Sequence, residues 1–324
     1  MSLDLIGLGS AIIDFAPGNL GVPLRQVKSF VPFAGGSVSN LLVAASRLGL
    51  TTGFLGCVGE DEFGSFVIRD FEDEGVDTAC AKRVKGRATG IAFYSVDKKG
   101  ERHYVFYRIP GYSDPETMLK PEDIREEYIA KARMLHFSES LLRKTQTRDT
   151  VFNVLQIANE NRVSVSYDPN MRKELWDDRE EMLGIQKRVL RLTDVFSATF
   201  EEASLVIGGE SAEESASTAL DMGPSTVVIR ERSYYQVATQ DSRFRLPTFE
   251  VKAVDTSGAG DAFNAGLLTG LVKGWSPERA VKLGSAVAAL KVMKVGTRAG
   301  LPNIEEALRF INERTARDLQ DSSE

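Results

Sequence analysis

An alternation of short apolar runs with amphipathic segments constrains the fold of this chain more than any other feature. Strand-like runs are expected at 3–9, 52–58, 134–137, 163–167, 195–197 and 226–229. Helix-like segments are expected at 38–48, 63–74, 148–161, 179–192, 201–207, 259–272 and 277–294. Strands that alternate with helices form parallel crossovers in a sheet covered on both faces. The pattern therefore predicts an α/β protein with three α/β/α layers around a mostly parallel sheet.

Two regions, at about 12–33 and 87–112, interrupt this alternation with strand-like patterns that have no helix between them. In the second region a Lys98-Lys99-Gly100 turn separates two such runs, which is typical of a β-hairpin. We therefore expect one domain over residues 1–324, with these two regions forming a small β-sheet beside the α/β core. The last residues, 317–324, are expected to fray.

Composition narrows the class of partner and the compartment. The net charge of −6 argues against nucleic acid or an anionic membrane as the main partner. The sequence contains no run of eighteen apolar residues, and its first residues lack the basic-then-apolar pattern of a secretion signal. Two cysteines, Cys57 and Cys80, do not make a disulfide framework in a chain of 324 residues. We expect a cytoplasmic protein without a membrane or nucleic-acid partner.

The segment 255–261, which reads DTSGAGD, is the strongest candidate for a chemical site. Gly258 and Gly260 lack a Cβ atom, so an anion can approach the main chain closely. The first N–H groups of the helix that follows have no intrahelical partner, and the helix dipole adds positive charge there. Asp261 would repel that anion unless it served as a general base. The alternative interpretation is an ordinary glycine turn before a helix with an Asp in its first turn.

This segment resembles the C-terminal signature of the PfkB-type carbohydrate kinases, in the ribokinase-like superfamily. A second pair of segments, GGSVSN at 35–40 and GCVGEDEFG at 56–64, is similar to the N-terminal signature of that family. The resemblance implies ATP and Mg²⁺ as cofactors, with K⁺ as a further candidate, and a sugar as the acceptor. It also implies that the small sheet covers the sugar and joins two subunits into a homodimer.

On the sugar side, the resemblance gives seven residues a substrate-binding role. Asp14 would bind two sugar hydroxyls, Gly35 and Gly36 would let the chain pass close to the ring, and Asn40 would offer a donor and an acceptor. Taken by itself, Asp14 reads as a turn residue at the end of a strand. The remaining three are Asp168, Arg172 and Arg108.

Two motifs carry those three residues. The run 168–176, DPNMRKELW, follows a predicted strand, as ligand-binding segments do in open α/β sheets, and resembles fructokinases and 2-keto-3-deoxygluconate kinases. Arg172 would face the substrate or a phosphate, or else form a salt bridge. The run 106–114 resembles a fructokinase segment from which Arg108 would reach the sugar, although Ser113 stands where that family prefers Ala.

On the nucleotide side, the resemblance is less complete. Glu202 matches the glutamate that organises Mg²⁺ through water, and Thr199 stands where the motif has Asn. The run 228–234 has no glycine where the family has two, so Arg230 or Arg232 is expected to supply charge near the ATP phosphates. The other nucleotide-binding candidates are Asn170, Ser285 and Gly296.

The mechanism predicted from these residues is phosphoryl transfer. Asp261 would accept the proton of a primary hydroxyl, and the N–H groups of Gly258, Ala259 and Gly260 would hold the γ-phosphoryl oxygens. The leading prediction is an ATP-dependent fructokinase that makes fructose 6-phosphate. A 2-keto-3-deoxygluconate or other sugar-acid kinase is the alternative, favoured if a cation beyond Arg108 and Arg172 lines the sugar pocket. A third interpretation, motivated by the missing glycines, is a non-catalytic sugar-binding protein.

Other chemistries find no support in the sequence. It contains no G-x-x-x-x-G-K-[ST] segment, so a P-loop enzyme is excluded. His103 and His136 are the only histidines, and neither has a partner at zinc-like spacing. The same shortage of histidine disfavours a Ser-His-Asp arrangement.

Overall fold

The structure, a computed structural model, describes residues 2–98 and 102–321, with side chains in the last helix described up to residue 316. Its main sheet has nine strands in the order β13-β12-β11-β10-β9-β8-β1-β4-β5. The neighbours from β11 to β5 pair in parallel, and β12 and β13 continue the sheet antiparallel. These strands are β1 (Leu3–Ser10), β4 (Thr52–Gly59), β5 (Val76–Val84), β8 (Ala132–Ser138), β9 (Ser164–Asp168), β10 (Val195–Thr199), β11 (Thr226–Arg230), β12 (Tyr234–Thr239) and β13 (Arg243–Pro247).

A second, smaller sheet has four strands in the order β3-β2-β6-β7. The outer pairs β3/β2 and β6/β7 are antiparallel, and the central pair β2/β6 is parallel. All four strands come from the two regions predicted to interrupt the alternation, although residues 99 and 100 of the predicted turn lie outside the described residues. The strands are β2 (Ile12–Pro17), β3 (Phe30–Gly35), β6 (Ile91–Val96) and β7 (Arg102–Tyr107).

Helices cover both faces of the main sheet. They are α1 (Ser37–Arg47), α2 (Glu62–Asp73), α3 (Glu126–Ile129), α4 (Thr145–Glu160), α5 (Arg179–Leu190), α6 (Phe200–Val206), α7 (Ala212–Asp221), α8 (Ala259–Val272), α9 (Pro277–Val292) and α10 (Ile304–Asp321). Side chains alternate between the two faces of a strand, so one strand serves two cores. In β4, Phe54 and Val58 pack with α1, α2, α8 and α9, whereas Leu55 and Cys57 pack with α4 to α7.

Side-chain caps fix where several of these helices begin. The Asp61 carboxylate accepts the Gly64 N–H at 2.7 Å, and the Asp178 carboxylate accepts two N–H groups in the first turn of α5. Ser211 and Ser276 cap α7 and α9 in the same way. These side chains satisfy N–H groups that have no partner within the helix, and they stabilise each start by about 1 kcal/mol.

The predicted alternation is confirmed, and so is the fold class, but six elements were missed, of which α3 is a single turn. Strands β5 and β13 carry many exposed polar residues and lie at the edges of the sheet, where the apolar signal is weak. Strand β12 and helix α7 lacked a strong pattern, and α10 was not predicted at all. Instead of fraying from residue 317, α10 continues to Asp321, and residues 322–324 of the predicted frayed tail lie outside the described residues. No helix among the described residues is long and apolar enough to cross a bilayer.

Candidate active site

A cavity of about 650 Å³ lies at the carboxyl edge of the main sheet, within the roughly 300–1,000 Å³ typical of small-molecule sites. The last residues of five neighbouring parallel strands line it, as expected for an open α/β sheet. They are Ser10, Ser138, Asp168, Thr199 and Arg230. The fold therefore brings together groups that lie up to 220 positions apart in the sequence (10 to 230).

The small sheet forms one wall of this cavity. From β7, alternate residues Arg102, Tyr104 and Phe106 face inward, as the period of a strand requires. From β2, Asp14 lines the cavity and is almost fully buried. The interpretation of Asp14 as a turn residue at a strand end is wrong, because β2 continues past it to Pro17. Burial raises the pKa of Asp14 to about 7, against the opposing charges of nearby arginines.

The glycine pair before α1 lets that turn pass close to other backbone and to Asp14. A Cβ atom on Gly35 would lie 2.2 Å from Oδ2 of Asp14, and one on Gly36 would lie 2.5 Å from the carbonyl oxygen of Ser10. Gly36 also has φ 104°, a backbone angle that residues with a side chain rarely adopt. Larger residues there would push α1 away from the cavity.

The N-terminus of α8 forms the opposite end of the cavity. Gly258 is its N-cap with φ 62°, and among the residues that the structure describes no side chain caps the helix. The Ala259 N–H makes a weak bond of 3.3 Å to the Thr256 carbonyl, and the N–H groups of Gly260 and Asp261 fall in the helical turn that has no intrahelical acceptor. All of these residues line the cavity. The segment 256–260 is therefore shaped to hold an anion.

Asp261 lies in the first turn of α8, and two residues of α1 orient its carboxylate. Ser37 Oγ donates to Oδ1 at 2.6 Å, and Asn40 Nδ2 donates to Oδ2 at 2.9 Å. Burial raises the pKa of Asp261 to about 6, although these two hydrogen bonds oppose the shift. A buried carboxylate beside an anion site, with a raised pKa and a fixed orientation, has the properties of a general base.

Arg230 lies beside the same anion site. It donates to both carboxylate oxygens of Asp168, at 3.1 and 3.2 Å, and to Ser197 Oγ at 2.6 Å. One of its terminal nitrogens is 3.7 Å from the place where a Cβ on Gly260 would lie. Asp168 also accepts from Asn264 Nδ2 at 2.5 Å and from the Asn170 N–H at 3.2 Å. The guanidinium of Arg230 thus lies at the end of β11, just before the loop in which the two glycines of the PfkB-type signature are missing.

Thr199 and Glu202 form a capping box at the start of α6. Glu202 Oε2 accepts from the N–H and the hydroxyl of Thr199, and Oε1 accepts the Met171 N–H at 2.7 Å. Both residues also line the cavity. Over residues 2–98 and 102–321, no group of three His, Cys, Asp or Glu side chains is arranged to hold a metal. This donor set fits Mg²⁺, which keeps several waters and binds through few carboxylates and the phosphates of its ligand.

Three arginines gather at the carboxyl ends of β1, β8 and β9. Arg108 donates to Glu116 at 2.8 Å, and Arg143 donates to Glu139 at 3.1 Å. Arg172 instead donates to the Met171 carbonyl at 3.0 Å, and to no carboxylate within the described part of the chain. The interpretation of Arg172 as a salt-bridge residue therefore finds no support. Neither Arg143 nor Arg102 stood in a motif, so sequence reasoning missed both.

Most of the predicted site residues meet in this cavity. Those that line it are Asp14, Gly36, Asn40, Arg108, Asp168, Asn170, Arg172, Thr199, Glu202, Arg230, Gly258, Ala259, Gly260 and Asp261. Gly35 lies behind Asp14. Ser285 and Gly296 lie outside the lining: Ser285 Oγ accepts the Phe249 N–H at 3.4 Å, and the Gly296 N–H donates to Asp255 at 2.7 Å. Their roles at a nucleotide stay predictions.

Further residues at the site were missed by sequence reasoning. Ser37 lies within the predicted motif at 35–40, so its place in the sequence could have identified it. Arg298 is buried and donates to Ser39 Oγ at 2.7 Å and to Asn40 Oδ1 at 3.2 Å. It also pairs with Asp70, so it ties α1 and α2 to the loop after α9. Only the fold shows that connection.

A candidate general base that faces a backbone anion site, in a cavity large enough for a sugar and phosphates, defines a phosphotransferase with an alcohol acceptor. The family model described as "pfkB family carbohydrate kinase" matches residues 3–304. The chain belongs to this family of carbohydrate kinases, as the sequence predicted.

The comparisons with individual proteins agree with this assignment. The chain is 31% identical to a 5-dehydro-2-deoxygluconokinase of Clostridium tetani, over 96% of this chain and 94% of the relative. A structure named ribokinase II of E. coli, in complex with ATP and Mg²⁺, superposes with a TM-score of 0.88 at 25% identity, covering 96% and 99% of the two chains. A fructokinase of Vibrio cholerae with fructose, ADP and potassium bound gives a TM-score of 0.83 at 28% identity, covering 96% and 99%.

Proposed function

We propose that this chain is an ATP-dependent sugar-acid kinase that phosphorylates 5-dehydro-2-deoxygluconate at its primary hydroxyl. The relative from C. tetani carries that activity in its name, and it aligns over nearly the whole chain. The observation that carries the proposal is the arginine-rich end of the cavity. One cation beyond Arg108 and Arg172 lines this end, namely Arg143, and a further cation there favours a sugar acid over a neutral sugar.

The charge balance of this end favours a carboxylate ligand. Arg108, Arg143 and Arg172 lie close enough to influence one another, with Glu116 and Glu139 among them. Burial lowers the pKa of Arg143, and the nearby charges of Arg108 and Arg172 lower it further. The carboxylate of Glu139 opposes this shift. Within the described part of the chain, the three guanidinium groups and two carboxylates of this cluster leave one positive charge uncompensated, and the guanidinium of Arg172 donates to two main-chain carbonyl oxygens. A substrate carboxylate would neutralise this charge and could accept a bidentate pair.

Fructose, the leading prediction from sequence, has no charged group to meet this cluster. The fructokinase of V. cholerae shows that the fold holds fructose in a relative. The named relatives that align over nearly the full length, and the extra arginine Arg143, support the acid more strongly. We therefore place the sugar acid first and fructose second.

At the other end of the cavity, Asp261 would accept the proton of the attacking hydroxyl. Its carboxylate is held by Ser37 and Asn40, so it is oriented before the substrate binds. The N–H groups at Gly258, Ala259 and Gly260 would hold oxygens of the transferred phosphoryl group, where charge develops. The carboxylate and the primary hydroxyl of the substrate are at opposite ends of a six-carbon chain. One molecule can therefore place its carboxylate at the arginine-rich end of the cavity and its hydroxyl beside Asp261.

The residues between these ends suit the polyphosphate of ATP. Arg230, Thr199 and Asn170 line the cavity near the anion site, and Glu202 would bind the waters of Mg²⁺. Mg²⁺, when bound with ATP, neutralises charge on the β- and γ-phosphates. Arg230 would supply positive charge there, in the place of the close backbone approach that the family's glycines allow. The related E. coli structure contains both ATP and Mg²⁺.

The experiment that tests this proposal is ADP release by the purified protein with MgATP and a panel of acceptors. The panel holds 5-dehydro-2-deoxygluconate, 2-keto-3-deoxygluconate, fructose, ribose and adenosine. We expect kcat/KM for the 5-dehydro acid to exceed that for fructose at least tenfold, the factor that about 1.4 kcal/mol supplies. Equal or better turnover of fructose would contradict the proposal. Turnover of no acceptor would favour the non-catalytic interpretation.

We also propose that the small sheet joins two subunits. Its edge strands β3 and β7 carry exposed apolar residues, including Val31 at 50%, Val105 at 42% and Tyr107 at 52% exposure. Unpaired sheet edges with apolar side chains favour association. Analytical ultracentrifugation should give a dimer for the wild type and a monomer for Val105→Lys. A monomeric wild type at micromolar concentration would contradict this proposal.

A further inference from the structure

Lys291 is a fully buried lysine for which the reaction described above has no use. It lies near the end of α9 with an exposure of 0%, and its Nζ donates to the main-chain carbonyl of Asp255 at 2.8 Å. Burial of an ammonium group is unfavourable unless it is paired, so such a residue calls for a reason. Burial lowers the pKa of Lys291 to about 8, and the ammonium form therefore prevails at neutral pH.

Asp255, the partner of Lys291, forms a hydrogen bond through each of its polar groups. The Asp255 N–H donates to the Val292 carbonyl at 3.0 Å. Its Oδ1 accepts from the N–H and the hydroxyl of Ser257, at 3.0 and 2.8 Å, and is paired with Arg102. Its Oδ2 accepts the Gly296 N–H at 2.7 Å. Lys291 completes this arrangement at the carbonyl oxygen.

Asp255 begins the segment that ends in the anion site. Three residues separate it from Ala259, the first residue of α8, so a displacement of Asp255 would move the N–H groups there. The loop after α9 supports the same segment, because the Thr297 carbonyl oxygen lies 3.4 Å from the place where a Cβ on Gly258 would be. Lys291 thus stands behind the anion site, away from its ligand.

We propose that Lys291 is a positioning residue that serves as a built-in monovalent cation and holds segment 255–260 in its reactive geometry. A lysine ammonium is a compact point charge with three donors, and NH₄⁺ and K⁺ are its dissociable counterparts. The structure of a V. cholerae fructokinase contains a bound potassium ion, so a relative can bind a monovalent cation. In this chain the cation at Asp255 is covalently attached. The inference rests on phosphoryl transfer at segment 255–261, and it does not depend on which acid is the substrate.

The first test uses the wild-type protein with the best acceptor of the panel above. Turnover is measured in KCl, NaCl and tetramethylammonium chloride at one ionic strength. We expect rates within about twofold of each other, since the charge is already in place. Stimulation by K⁺ of tenfold or more would overturn the proposal, because Lys291 would then not supply the cation. This test needs no variant, so it stands even where a variant does not fold.

The second test compares Lys291→Met with Lys294→Met, which removes the same charge three residues later at an exposed position. We expect kcat of Lys291→Met to fall by on the order of 10²-fold, the effect of losing one oxyanion donor. NH₄⁺ or K⁺ should restore part of this loss in a saturable way, and tetramethylammonium should not. Lys294→Met should keep wild-type turnover. Wild-type activity of Lys291→Met, or a loss that neither ion relieves, would overturn the proposal.

A readout without substrate separates this inference from the proposed function. Hydrogen exchange of a peptide that covers residues 255–264 is followed in both variants. We expect faster exchange in Lys291→Met than in Lys294→Met, and slower exchange again when NH₄⁺ or K⁺ is added. If no acceptor is turned over, the proposed function fails while this comparison still decides the role of Lys291. Identical exchange in the two variants would refute that role.

Discussion

The two ends of the cavity are built in different ways. The end with Asp261 comes from one continuous segment, 256–261, whose backbone N–H groups and single carboxylate face the site. The end with Arg108, Arg143 and Arg172 consists of side chains from three separate segments that meet only in the folded protein. The first end suits a phosphoryl group, which every kinase of this family must handle. The arginine end can differ between kinases that act on different acceptors. Residues that serve phosphoryl transfer and residues that select the acceptor therefore lie at different ends of the cavity.

The largest expected effect is at the base-bearing end. Asp261→Asn should lower kcat by at least roughly 10²–10⁴-fold, the contribution of a positioned general base. Binding of the acid, measured by calorimetry, should stay within a few-fold of wild type, because the arginine end is unchanged. Asp221→Asn, an exposed aspartate on α7, is the matched control and should be fully active. A tenth of wild-type turnover in Asp261→Asn would rule out Asp261 as the base.

A smaller and more selective effect is expected at the arginine end. Arg172→Met should lower kcat/KM for the sugar acid by roughly 10–100-fold, since a hydrogen bond to a charged group is worth about 1.5–3 kcal/mol. Turnover of fructose should change little, because it has no carboxylate. Arg179→Met removes an exposed arginine as the control. An equal loss on both acceptors would mean that Arg172 acts on the phosphates.

The smallest expected effect is a shift in the pH profile. Asp261 must be deprotonated to accept a proton, and its pKa is about 6, so kcat/KM should rise with pH through that value. The Ser37 hydrogen bond lowers the pKa of Asp261, so Ser37→Ala should raise that pKa. The acidic limb of the kcat/KM profile should then move to higher pH by on the order of one pH unit. Asp14 titrates near pH 7 in the same cavity, so the difference between variant and wild type is the informative quantity. An unmoved limb would show that another group controls it.

Sequence predicted most of the layered fold and the position of the segment with Asp261, because both depend on local patterns. The alternation of strands and helices gave the main sheet, and DTSGAGD placed Gly258 and Asp261 at the start of a helix. The arginine end was only partly predictable. Arg143 belongs to no motif. Its role follows only from the folded structure, in which it donates to Glu139 and lines the same cavity as Arg108 and Arg172. Lys291 could not be singled out from the sequence, since burial of one lysine leaves no mark in a helical pattern.

The most direct test of the account is a competition in one tube. Equal concentrations of 5-dehydro-2-deoxygluconate and fructose are incubated with the wild-type protein and limiting MgATP, and the two phosphorylated products are counted by mass spectrometry. The account predicts that the phosphorylated acid exceeds fructose 6-phosphate by at least about tenfold, because only the acid can neutralise the arginine end. An excess of fructose 6-phosphate would contradict it and return the chain to the fructokinases.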